Sequence, residues 1–215
     1  MKRKFLALSA VLALTAGAVS AQSKTTFGVR AGANFTNLNG KDEEDNKLEN
    51  KMKVGFHVGV NAEIPLADEF YLQPGVLFST KGAKLDGEGD VKMNLGYIEV
   101  PVNFLYKADL GEGKLLLGVG PYVGIGITGK VKGDGGEADI KFTNDAKMED
   151  MGKVPLKRID AGGNLLFGYE FANKFSVQLN AQLGMLNLVP KFEGEKPENE
   201  KIKNTGFGVS VGYRF

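Results

Sequence analysis

Gly206-Phe207-Gly208-Val209-Ser210-Val211-Gly212-Tyr213-Arg214-Phe215 decides the fold. Phe207, Val209, Val211, Tyr213 and Phe215 alternate with Gly206, Gly208, Ser210, Gly212 and Arg214. Successive side chains of a strand point to opposite faces, so one face is wholly apolar and aromatic and the other small or charged. A strand with lipid on one side and a polar lumen on the other needs that arrangement.

The same alternation recurs upstream. Phe27, Val29, Ala31, Ala33 and Phe35 oppose Gly28, Arg30, Gly32 and Asn34; Val54, Phe56, Val58, Val60, Ala62 and Ile64 oppose Gly55, His57, Gly59, Asn61 and Glu63. Phe70, Leu72, Val76 and Phe78 oppose Gln73, Gly75 and Ser79, and Ile98 to Tyr106 alternates with Glu99, Pro101, Asn103 and Leu105. Three further runs begin at Leu115, Ile159 and Phe175, the second setting its apolar residues against Arg158, Asp160, Asn164 and Glu170. The expectation is an all-β, transmembrane, antiparallel up-and-down barrel of about eight strands, each of roughly 10–14 residues, long enough to cross a bilayer at a barrel tilt. Connections alternate long and short. Long ones are expected at residues 37–52, 82–93, 129–156 and 189–203, and are read as polar and extracellular, with both termini periplasmic. A soluble calyx is the rival fold. It would turn the bulky set inward, and an eight-stranded interior is only just wide enough for side chains.

Residues 1–21 read as a cleaved signal peptide: Lys2, Arg3 and Lys4 precede a short apolar stretch and the small residues Ala18-Val19-Ser20-Ala21. The barrel domain then spans 22–215. Removing three basic residues turns 27 Lys+Arg against 26 Asp+Glu into 24 against 26, no polycation and no nucleic-acid binder. Cys is absent, which excludes disulfides and thiolate metal sites and suits an oxidising periplasm.

Several stretches carry a family resemblance. Tyr97-Ile98-Glu99-Val100-Pro101 resembles the Y-[IL]-E-[IVL]-P segment of the PorT-family outer-membrane β-barrel domain of Bacteroidetes. Gly120-Pro121-Tyr122, Asp160-Ala161-Gly162, Gly168-Tyr169-Glu170 and the opening Gly28-Val29-Arg30-Ala31-Gly32-Ala33-Asn34 resemble further elements of that family, in order. The last run resembles the C-terminal assembly signal of outer-membrane barrels, with Tyr213 and Phe215 as its aromatics. The resemblance implies fold, outer-membrane location and engagement of the barrel-assembly machinery through the last strand. It implies little chemistry.

The inward set gathers the ionisable groups Arg30, His57, Glu63, Glu99, Arg158, Asp160, Glu170 and Arg214. Unpaired charge in a narrow lumen is costly, so these are expected to form a structural salt-bridge network, with Glu99 paired to an Arg across the lumen. His57 is the sole histidine, too few for a multi-histidine metal site. A Ser–His–Asp arrangement would require His57 beside Asp160 and a serine such as Ser79, Ser176 or Ser210, and no rim cluster suggests it. Asp42-Glu43-Glu44-Asp45 lacks the spacing of a calcium loop, and Gly133-Asp134-Gly135-Gly136 precedes no helix pattern. The expectation is a non-enzymatic barrel without catalytic residues, cofactor or metal. It sits in outer-membrane lipid, its lumen is plugged, and its loops meet a surface or secreted protein partner. The alternative is a narrow channel for ions or very small solutes.

Overall fold

The computed structural model describes residues 24–42, 44–85, 91–150, 152–197 and 199–215; the expected signal peptide lies outside them. Eight long antiparallel strands close on themselves. They are β1 (Thr26–Lys41), β2 (Asn50–Ala67), β3 (Phe70–Leu85), β4 (Lys92–Leu110), β5 (Gly113–Gly133), β9 (Ile159–Glu170), β10 (Phe175–Gly184) and β12 (Lys201–Arg214). Neighbours in sequence pair throughout, and β1 pairs with β12 to close the ring. The barrel therefore has no free edge in its ring.

The alternation sorts the two faces as expected. Phe27, Val60, Val119, Leu165, Phe167 and Val211 each expose about half their surface or more on the outside. Aromatic pairs mark both margins of this band. At the short-turn end, Phe70 stacks on Phe104 at 5.4 Å and Phe175 meets Tyr213 at 5.0 Å. At the long-loop end, Phe35 stacks on Phe207 at 5.0 Å and Phe56 meets Phe78 at 5.7 Å. Phe70 and Phe78 lie eight residues apart on β3, about 20 Å along the barrel axis at a usual rise and tilt, close to the height of a membrane barrel's apolar band.

Two expectations are corrected. The first five strands run longer than 10–14 residues, up to 21 in β5, because backbone pairing continues past the point where the outer face stops being apolar, whereas β9, β10 and β12 keep to that range. The stretch 129–156 is no solvated polar loop. It extends β5 into a hairpin with β6 (Gly136–Phe142), then forms β7 (Asp145–Ala146), a 3₁₀ turn (Met148–Asp150) and β8 (Val154–Leu156), which runs parallel to β6. β7 also pairs with β11 (Lys191–Phe192) from the following long connection.

These pieces cap the barrel mouth. Ile140 and Leu156 bury themselves against Leu38, Met93, Leu95, Tyr97 and Leu188, with Phe142 and Val154 at the margin. The Phe142 ring lies over Gly126, where an added Cβ would come within 2.5 Å of it. Any larger residue at 126 would push the ring out of the mouth.

Candidate functional site

Below the cap the lumen is filled by polar side chains in two clusters. Both follow from strand parity. On β3 the inward-parity residues Gln73, Ser79 and Lys81 are buried; so are Glu99, Asn103 and Lys107 on β4.

The cluster nearer the short turns centres on Glu63 of β2. Its Oε1 accepts from Arg214 Nη2 at 2.5 Å and Gln73 Nε2 at 3.2 Å, while Oε2 accepts from Lys107 Nζ at 2.9 Å. Lys107 also bridges to Glu170 at 2.8 Å, joining β2, β4, β9 and β12. An amide chain crosses beside it. Asn164 donates to Asn103 at 2.8 Å, and Asn103 donates to Gln73 at 3.2 Å.

The second cluster centres on Lys81, 2% exposed, which contacts Glu99 and lies 3.3 Å from Asp160 Oδ2. Tyr122 Oη and Asn204 Nδ2 donate to the same Asp160 oxygen at 3.2 and 2.9 Å, and Gln182 donates to Glu99 at 3.3 Å. The Lys81 ammonium sits 4.4 Å from the Tyr122 ring centroid and 5.6 Å from that of Tyr97. Gly124 makes room for this. A Cβ there would stand 3.3 Å from Tyr97 and 3.6 Å from both Asp160 and Glu99.

Arg30 and His57 occupy the wall between the clusters. Asn34 donates through Nδ2 to Ser79 Oγ at 3.1 Å and accepts at Oδ1 from His57 Nδ1 at 2.7 Å, so the imidazole carries its proton on Nδ1. Arg30 Nε and Nη1 have no hydrogen-bond partner. With Asn34, His57, Ser79, Glu99 and Asn180, Arg30 lines a void of about 20 Å³, room for about one water.

The structure brings Glu63, Arg214 and Glu170 into one cluster and Glu99 and Asp160 into the other. Arg158 is a correction. It precedes β9, is exposed, and its guanidinium lies 5.8 Å from the Phe142 ring in the cap. The alternation of β9 does not extend back to it. Glu99 is a second correction: its partner is Lys81 of the adjacent β3, not an Arg across the lumen. Lys81 and Lys107 lay just past the runs with clean apolar alternation. Extending parity by two from Ser79 and Leu105 would have found both. No hydrogen bond joins His57 to Asp160, whose Oδ2 is taken by Lys81, Tyr122 and Asn204. Among the described residues no group of three or more His, Cys, Asp or Glu could hold a metal ion. Tyr213 and Phe215 stand on the outer face, 5.3 Å apart.

Comparison with solved structures returns outer-membrane barrels of low sequence identity. Ail, the attachment invasion locus protein of Yersinia pestis, is 13% identical over 90% of this chain and 100% of its own, at a TM-score of 0.44. Neisserial surface protein A is 13% identical over the same shares, at 0.47. A major outer membrane protein of Thermus thermophilus is also 13% identical over those shares, at 0.42. No curated protein matches the chain. The sequence model of one family does match, across residues 20–190, and the chain belongs to that family, the outer membrane protein beta-barrel domain.

Proposed function

We propose that this small outer-membrane barrel does not conduct and acts as a structural and interaction protein through its long connections. The observation that carries the reading is Lys81, clamped between Glu99 and Asp160 and flanked by Tyr97 and Tyr122 in mid-lumen. A solute passing there would have to displace charges whose separation in a low-dielectric interior is costly. The apolar cap of Leu38, Leu95, Leu156 and Leu188 adds a second closure. The long-loop end, with its cap and charged rim, faces outward to a surface or secreted partner, and the termini face the periplasm. Tyr213 and Phe215 on the outer face of β12 suit engagement by the barrel-assembly machinery. Finer kinship with the PorT-type barrels of Bacteroidetes rests on Tyr97 to Pro101, Gly120 to Tyr122 and Asp160 to Gly162. No catalytic role is assigned.

Single-channel recording of refolded protein in a planar bilayer tests the closure, after a heat-modifiable gel band has shown folding. Silence across a range of voltages is expected. Steady unitary openings would replace this reading with a narrow ion channel.

A further inference from the structure

The wall of the small void beside Arg30 offers both kinds of hydrogen-bonding group. Arg30 Nε and Nη1 and Asn180 Nδ2 are buried donors without a partner, and Asn180 Oδ1 and His57 Nε2 are buried acceptors without one. Arg30 and His57 are each 6% exposed. Because His57 commits its Nδ1 proton to Asn34, its Nε2 presents a lone pair. Glu99 Oε1 meets Lys81 and Oε2 accepts from Gln182, so each oxygen keeps a lone pair as well. The charges are matched in the same place. Lys107 and Arg214 balance Glu63 and Glu170, while Lys81 alone faces both Glu99 and Asp160, leaving one carboxylate in excess. Arg30, whose Nε and Nη1 bond to no carboxylate, supplies the balancing charge.

We propose that this void is a binding site for one resident water, which accepts from Arg30 and donates to Glu99 and His57, linking the guanidinium to the surplus carboxylate. The volume of about 20 Å³ holds one such molecule. A neutral ligand that both donates and accepts satisfies every orphaned group of this wall in turn. A chloride ion would accept from Arg30 and Asn180 but would lie against the Glu99 carboxylate and the His57 lone pair. It would also leave the lumen with a net negative charge, and an uncompensated buried charge is costly. The water ties Arg30 of β1 and His57 of β2 to Glu99 of β4. The inference stands whether or not the lumen conducts.

The test records NOE and ROE cross-peaks between water and protein refolded in phosphatidylcholine nanodiscs, with arginine and asparagine isotope-labelled. Arg30 Hε and the Asn180 side-chain amide are expected to show cross-peaks to water of opposite sign in the two experiments, the signature of a bound molecule and not of proton exchange. Gly208→Ala is expected to lose them. Gly208 lines the void, and its added Cβ would stand 3.0 Å from Asn34 Oδ1 and 3.6 Å from His57 Cε1. Replacing sodium chloride by sodium gluconate at equal ionic strength is expected to leave the Arg30 Hε shift and the midpoint of the heat-modifiable band unchanged. That arm uses the wild type, so it holds even if Gly208→Ala fails to fold. Absence of both cross-peaks in the wild type overturns the proposal, and so does their persistence in Gly208→Ala. A saturable shift of Arg30 Hε with chloride overturns it too, because the ligand is then an anion.

Discussion

Lys81 meets Glu99 diagonally across two neighbouring strands. The residue directly opposite Glu99 is Leu77, four positions from Lys81, and both charged side chains are 2% exposed. The diagonal leaves the ammonium free to reach Asp160 as well, so one cation serves two carboxylates. Truncating one partner of a buried ion pair leaves an uncompensated charge. Lys81→Met is therefore expected to lower barrel stability by about 3–5 kcal/mol, measured by urea unfolding in vesicles. Adding Glu99→Gln and Asp160→Asn to Lys81→Met should recover most of the loss. If the single variant unfolds like the wild type, the cluster does not hold the barrel.

Glu63 ties the ring shut at the other end of the lumen. Arg214 belongs to the last strand and Glu63 to the second, with β1 between them, so their bond at 2.5 Å spans the closing seam. Glu63→Gln keeps the shape but leaves Arg214 without a carboxylate and Lys107 with Glu170 alone. The expected result is a destabilisation on the order of 3 kcal/mol, with faster hydrogen exchange in the β1–β12 pairing than in β4–β5. Uniform acceleration across all strands would show that Glu63 has no special hold on the seam.

The barrel was legible because membrane strands impose a period of two on residues of opposite character, and Phe207 to Phe215 shows that period without interruption. The inward carboxylates Glu63, Glu99, Asp160 and Glu170 followed from parity alone. Lys81 did not, because the outer face beyond Phe78 passes to Thr80 and Gly82 and the apolar marker disappears while the strand continues. The cap was invisible for a different reason. Ile140, Phe142, Ala146, Val154 and Leu156 are scattered among charged residues, and only tertiary pairing with Leu38, Leu95 and Leu188 gives them a common face. Arg158 failed because parity was carried backward past the end of β9, where the chain already turns toward the cap.

If the barrel is closed as proposed, the cap and the ionic lumen should act as separable closures. Phe142→Ala removes the ring seated over Gly126 and near Arg158, a loss of about 1–3 kcal/mol to the cap's packing, less than for a fully buried Phe because the ring is only partly buried. Protease cleavage in segment 143–153 should accelerate while the heat-modifiable band persists, because the strands below are paired independently. Arg158→Ala should accelerate cleavage in the same way, more weakly. Planar-bilayer recordings of Phe142→Ala should remain silent, since Lys81, Glu99 and Asp160 still fill the lumen. Openings in this variant would assign closure to the cap alone.

The β5–β6 hairpin above the membrane band should weaken in acid. Hydrogen bonds from Lys132 and then Lys130 hold the Glu137 carboxyl below its ordinary value of 4.5. A carboxylate whose folded value is depressed contributes stability above its unfolded value and loses it as pH falls through the folded one. Amide protection at Val131 and Ala138, paired across the hairpin, is therefore expected to hold from neutrality to about pH 4.5 and to fall below it. Glu137→Gln should give the low-pH exchange rate already at neutral pH and remove the pH dependence. Because Glu137 is on the surface, the effect should stay local, leaving exchange in β9 and β10 unchanged. An acid-induced rise that survives in Glu137→Gln would place the titrating group elsewhere in the cap.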